Sequence, residues 1–187
     1  MENPARGAVC VLSGPFVRVV GETPGHQIPR AMTSSDYRIE KQRIAVAVST
    51  VSGATMDGEI FVQTYARHRM GREEPADIMN ADEPFFPLAL VDGGTMLLAK
   101  EAVSEVLYEG TLEDDAANVV GARSVQLEVI LTNGERRQGA VFLEVSVDRP
   151  RVLDFLNRFD LRFLTLHTDG GVRLVNRRLI ERVCPAD

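Results

Sequence analysis

The chain has 187 residues, 21 Lys+Arg against 27 Asp+Glu, a formal net charge of −6, 44% hydrophobic residues, two cysteines and no tryptophan. Such a composition belongs to a folded globular chain. It excludes collagen-like, disulfide-stapled and wholly disordered classes, and its acidic balance argues against a general nucleic-acid binder, which needs a basic surface for phosphate.

No apolar run approaches the roughly 18 residues that a membrane span needs. The opening Met1-Glu2-Asn3-Pro4-Ala5-Arg6 lacks the basic-then-apolar layout of a signal peptide. A cytoplasmic chain without membrane partners is therefore expected, with Cys10 and Cys184 as reduced thiols. Residues 1–42 hold two short β-like runs, Ala8 to Leu12 and Phe16 to Val20, around Ser13-Gly14-Pro15. They read as an N-terminal strand or hairpin that docks on the following domain, with a polar linker from Gly21 to Ser35.

From residue 43 the chain repeats itself. At a shift of 81 residues, Ile44, Val46 and Val48 fall on Val125, Leu127 and Val129, Ser52-Gly53 on Asn133-Gly134, and Gly58 on Gly139. After a loop four residues longer in the first copy, Asp77 and Asn80 match Asp154 and Asn157, and Phe85 matches Phe163. Asp92-Gly93-Gly94 then matches Asp169-Gly170-Gly171, and Leu97, Leu98, Val103 and Val106 match Leu174, Val175, Ile180 and Val183. This divides the chain into residues 1–42, a first repeat 43–109, an acidic connector 110–123 and a second repeat 124–187.

Within the second repeat, Val125, Leu127 and Val129 alternate with Gln126 and Glu128, the period of a half-buried strand. Asn133-Gly134 is a hairpin turn, and Gly139 to Val147 a second strand. Pro150 opens a short helix over Arg151 to Arg158. Strands over Leu161 to His167, Val172 to Asn176 and Leu179 to Val183 complete a β-β-α-β-β-β unit. Five short strands in about 60 residues cover an open sheet poorly, so the expected fold is mostly β with short helices: two tandem small β-barrels plus the N-terminal strand or hairpin.

The run Leu127-Glu-Val-Ile-Leu131-Thr-Asn-Gly134 to Gly139-Ala-Val-Phe142, with Asp154…Asn157 after it and Asp77…Asn80 in the first copy, resembles the Sm-like family of SH3-like barrels. Leu174-Val175-Asn176-Arg177-Arg178-Leu179-Ile180 is similar in outline to that family's second motif, and so is Leu97-Leu98-Ala99-Lys100-Glu101-Ala102-Val103. Both copies lack the family's Arg-Gly dipeptide, having Asn176-Arg177 and Ala99-Lys100. The resemblance implies a small-barrel fold, with RNA as an alternative partner.

The residues themselves offer no catalytic constellation. His26, His68 and His167 have no Cys or second His at metal-ligand spacing, so no metal or cofactor is expected. Each Asp-Gly-Gly leads into a strand rather than a helix N-terminus, which suits a hairpin turn and not a phosphate loop. No serine sits in a nucleophile elbow, and an enzyme is not expected.

Charge is distributed unevenly. Residues 43–109 carry five Lys/Arg and eleven Asp/Glu, whereas 124–187 carry ten and nine. Arg136, Arg137, Arg173, Arg177 and Arg178 of the second repeat, and Arg67, Arg69 and Arg72 in the enlarged loop of the first, are the candidate partner-binding residues. The expected role is a non-catalytic interaction or scaffold module that binds another protein or itself. RNA on the arginine-rich face is the alternative, and a small-ligand sensor a weaker one.

Overall fold

The computed structural model describes residues 41–66, 71–110, 123–143, 152–158 and 160–186. The expected N-terminal strand or hairpin, Cys10, His26, His68, most of the connector, Arg67 and Arg69 lie outside them.

Strands β1 (Lys41–Thr50) and β2 (Thr55–Gln63) form an antiparallel hairpin. The helix α1 (Pro75–Asn80) precedes β3 (Phe85–Leu90) and β4 (Thr95–Ala99), and a 3-10 turn over Lys100–Ala102 leads into β5 (Val103–Tyr108). The second copy supplies β6 (Arg123–Leu131), β7 (Arg136–Leu143), α2 (Val152–Arg158), β8 (Phe163–Thr168), β9 (Gly171–Asn176), a 3-10 turn over Arg177–Leu179 and β10 (Ile180–Pro185).

Local chemistry sets these boundaries. Gly53 and Gly134 take positive φ, 86° and 83°, in equivalent hairpin turns, and the Asn133 side chain accepts a 3.0 Å bond from the Glu135 N–H to fix the second of them. Asp77 has a capping role: its carboxylate accepts the Glu74 N–H at 2.9 Å, tying down the first turn of α1 behind Pro75. Inward alternation in β1 and β2 buries Val46, Val48, Ile60 and Val62 at 4% exposure or less, as the period-2 pattern requires.

The strands do not form two barrels. They form one continuous antiparallel sheet in the order β10-β6-β7-β8-β9-β5-β1-β2-β3-β4, and neither copy closes on itself. The reason is competition for one edge. In the first copy the free side of β5 pairs with β9 of the second copy (Glu105 opposite Val175, Val106 opposite Leu174, Leu107 opposite Arg173, Tyr108 opposite Val172) and not with its own β4. Main-chain groups on that edge are satisfied between copies, which removes the need for closure within one.

Two apolar clusters result. The second contains Leu127, Val129, Leu131, Val141, Leu143, Leu164, Leu166 and Val175, all from the second copy. The first contains first-copy residues together with Phe163, Val172 and Leu174 from β8 and β9. Alternate side chains of the β8–β9 hairpin therefore serve two cores, so that the hairpin is a wall shared by both copies.

Candidate functional site

The junction at this wall is where the sequence concentrates polar chemistry. Glu105, on β5, is 4% exposed and faces two arginines of the other copy. Its Oε1 accepts Arg137 Nε at 2.7 Å, and its Oε2 accepts Arg173 Nη1. Arg137 also donates to Glu135 Oε2 at 2.6 Å and to the Arg136 carbonyl at 2.9 Å. The hydrogen bond that Arg137 donates to Glu105 pushes the Arg137 pKa above the ordinary guanidinium value, with burial opposing.

Asn80, the last residue of α1, spans the same junction: its Oδ1 accepts the Phe163 N–H at 2.8 Å and its Nδ2 reaches the Phe163 carbonyl at 3.4 Å. Asn176 donates from Nδ2 to the Val103 carbonyl at 2.8 Å, and Arg178 Nη1 meets Glu101 Oε1 at 2.7 Å on the surface above. Beside the seam, a cleft of about 760 Å³ is lined by α1, Phe85, Pro87, Leu161, Thr165 and Lys100. Lys100 is 1% exposed and donates to the Ala81 carbonyl at 2.8 Å; burial holds its pKa below the ordinary lysine value.

The arginines expected to make one basic face are therefore divided. Arg137 and Arg173 converge on Glu105, Arg178 pairs with Glu101, and Arg136 lies 3.5 Å from Glu128. Arg177 is exposed beside them, and its N–H bonds the Arg162 carbonyl at 2.9 Å. Arg72, in the first copy, donates to Gln42 Oε1 at 3.3 Å. Much of the positive charge is matched by acids, and Glu105 binds the first copy to the second through it.

Four residues of this junction escape the sequence reading as contacts between the copies: Glu105, Asn80, Phe163 and Leu174. Asn80 ends α1, the chain leaves the helix through Ala81 at φ −66°, and the Asn80 amide binds across copies. A signal for Glu105 was present: the aligned position in the second copy is Arg182, a charge reversal within matched strands.

The wall has a counterpart with no neighbour among the described residues. β3 and β4 repeat β8 and β9, and they stand at one end of the sheet. Phe163 and Leu174 are both 0% exposed, whereas the matching Phe85 and Leu97 are 57% and 69% exposed. At the other end stands β10, which repeats β5. Among the described residues no group of three His, Cys, Asp or Glu is placed to hold a metal ion, and no helix is long and apolar enough to cross a membrane. No family model, curated protein or solved structure matches the chain.

Proposed function

We propose that this chain is a non-catalytic protein–protein interaction module, a scaffold or adaptor that docks its partners through the ends of its sheet. The observation that carries this reading is the β3–β4 wall. It presents Phe85, Leu97 and, at 82% exposure, Val91 beside a strand edge, a combination that invites strand addition and apolar burial together. The same wall in the second copy is buried under a neighbour, so this surface type binds protein elsewhere in the same chain. Pairing of Arg137, Arg173 and Arg178 with carboxylates weighs against phosphate as the main ligand, because counterion release needs cations free to meet phosphates.

The test is affinity capture from an extract of the source cells with the wild-type chain and with Leu97→Lys. Leu97 is 69% exposed, so the substitution leaves the fold intact. Proteins retained by the wild type and lost by the variant support docking at this edge. Equal retention by both moves the function elsewhere.

A further inference from the structure

The internal junction specifies what the two ends of the sheet fit. At the junction, the first copy contributes a receiving side (β5 and α1) and the second a wall (β8 and β9). The repeat places another receiving side, β10 and α2, at one end of the sheet, and another wall, β3 and β4, at the other. We infer that a second copy of this chain docks head-to-tail, with β4 of one molecule pairing antiparallel to β10 of the next in the register of the β5–β9 ladder. The inference rests on the proposed docking role of the sheet ends and names the partner.

Transferring the register makes the contact specific. Glu105 opposite Val175 becomes Arg182 opposite Leu98, Val106 opposite Leu174 becomes Val183 opposite Leu97, and Leu107 opposite Arg173 becomes Cys184 opposite Met96. Phe85 and Leu97 then enter the second apolar cluster as Phe163 and Leu174 enter the first.

The receiving side is short of such a cover. Met79, Val103 and Val106 are each 0% exposed, while their counterparts Leu156, Ile180 and Val183 are only partly buried against the second cluster. Apolar surface left half-covered on one end and mostly exposed on the other is complementary within a single sequence.

One polar group of the internal junction recurs in place. Asn157, the counterpart of Asn80, is exposed at the end of α2, where the main chain of an incoming Phe85 would take the place that Phe163 holds at Asn80. The Arg178–Glu101 pair adds nothing to the joint between molecules, because 178 and 101 are matched positions already paired with each other inside one molecule. The Glu105 triad does not transfer, because Arg182 would face Met96 and Met56. The joint between molecules is thus more apolar and less ionic than the joint within one. Such a contact is heterologous, and it builds a ring where the rotation per molecule closes and a filament where it does not.

Two measurements on the full chain decide it. Light scattering over a concentration series is expected to give masses at multiples of 20.6 kDa, with Leu97→Lys and Asn157→Ala each weakening association, the former at least about tenfold. In a Cys10→Ser background, Met96→Cys places a thiol opposite the native Cys184, and mild oxidation should yield a ladder of disulfide-linked molecules. Thr95→Cys, one register position away and on the opposite face, should not.

A chain that stays at 20.6 kDa throughout, self-association unaffected by Leu97→Lys, or equal cross-linking from positions 95 and 96 would each overturn the inference. A strictly monomeric chain whose Leu97→Lys variant still loses a captured protein would overturn it while leaving the docking role standing. Loss of both would remove the docking role as well.

Discussion

Asn80 holds both main-chain groups of Phe163, accepting its N–H at 2.8 Å and reaching its carbonyl at 3.4 Å, across 83 residues of sequence and from one copy to the other. An amide side chain used this way substitutes for one step of strand pairing where a helix meets a strand. Asn80→Ala leaves the Phe163 N–H without that acceptor and is expected to cost about 1–3 kcal/mol. Asn157→Ala, at an exposed position, should stay within about 0.5 kcal/mol when measured on dilute protein. Urea unfolding of the two variants side by side checks the contrast.

Glu105 is the acid on which the two copies meet. Glu105→Gln leaves Arg137 and Arg173 facing a neutral amide, and these side chains are 23% and 26% exposed, so water compensates in part. The expected loss is about 2–3 kcal/mol, below the figure for a wholly buried pair. Glu101→Gln removes a pair whose members are 64% and 75% exposed and should cost less than about 0.5 kcal/mol. Equal unfolding midpoints for the two variants would refute the ranking.

His167, 6% exposed and packed edge-on against Phe142 at 4.8 Å, has its pKa lowered by burial, with the charge of Glu74 opposing. The folded state therefore favours neutral imidazole, whereas the unfolded chain takes up a proton near pH 6.5. Below that pH the unfolded state binds more protons, so the stability contributed by the neutral ring is present above about pH 6.5 and is lost on acidification toward the lower folded value. The urea midpoint should fall from pH 7.5 to pH 5.5, and His167→Gln should flatten that slope. An unchanged slope would assign the titration to another group.

Gly58 and Gly139 occupy the same place in the two copies, where the following hairpin crosses close to the strand. A Cβ at Gly58 would stand 2.5 Å from the Ala89 carbonyl oxygen, and one at Gly139 would stand 2.9 Å from the His167 carbonyl oxygen. Each Gly→Ala substitution is expected to destabilise by about 1–3 kcal/mol, Gly58 by more, because its Cβ would lie closer to a backbone oxygen that cannot readily move away. Thermal or urea unfolding ranks them.

Much of this architecture was legible in the sequence because local pattern determines local structure. Alternation in Val125 to Val129, the Asn133-Gly134 turn and the matched Asp-Gly-Gly turns specify strands and hairpins whatever the strands later pair with. The choice that local pattern leaves open is the partner of β5. The run Val103-Ser-Glu-Val-Leu-Tyr108 reads equally well with β4 or β9 beside it, since both are apolar strands of one ancestry in the repeat, and only tertiary packing selects β9. The same ambiguity hid the arginines' role. Arg137 and Arg173 look like surface charge until Glu105, distant in sequence, is placed between them.

The shared wall has a consequence for how freely the two halves of this chain can vary. A substitution at Phe163, Val172 or Leu174 perturbs the first apolar cluster, while one at Leu164, Leu166 or Val175 on the same hairpin perturbs the second. The β8–β9 segment is thus answerable to two masters and has few positions free to drift, whereas β1–β2 and β6–β7 each answer to one. Two sequences that began as duplicates are in this way bound to unequal fates: the second copy keeps the hairpin that completes its sibling, and neither can be exchanged for the other.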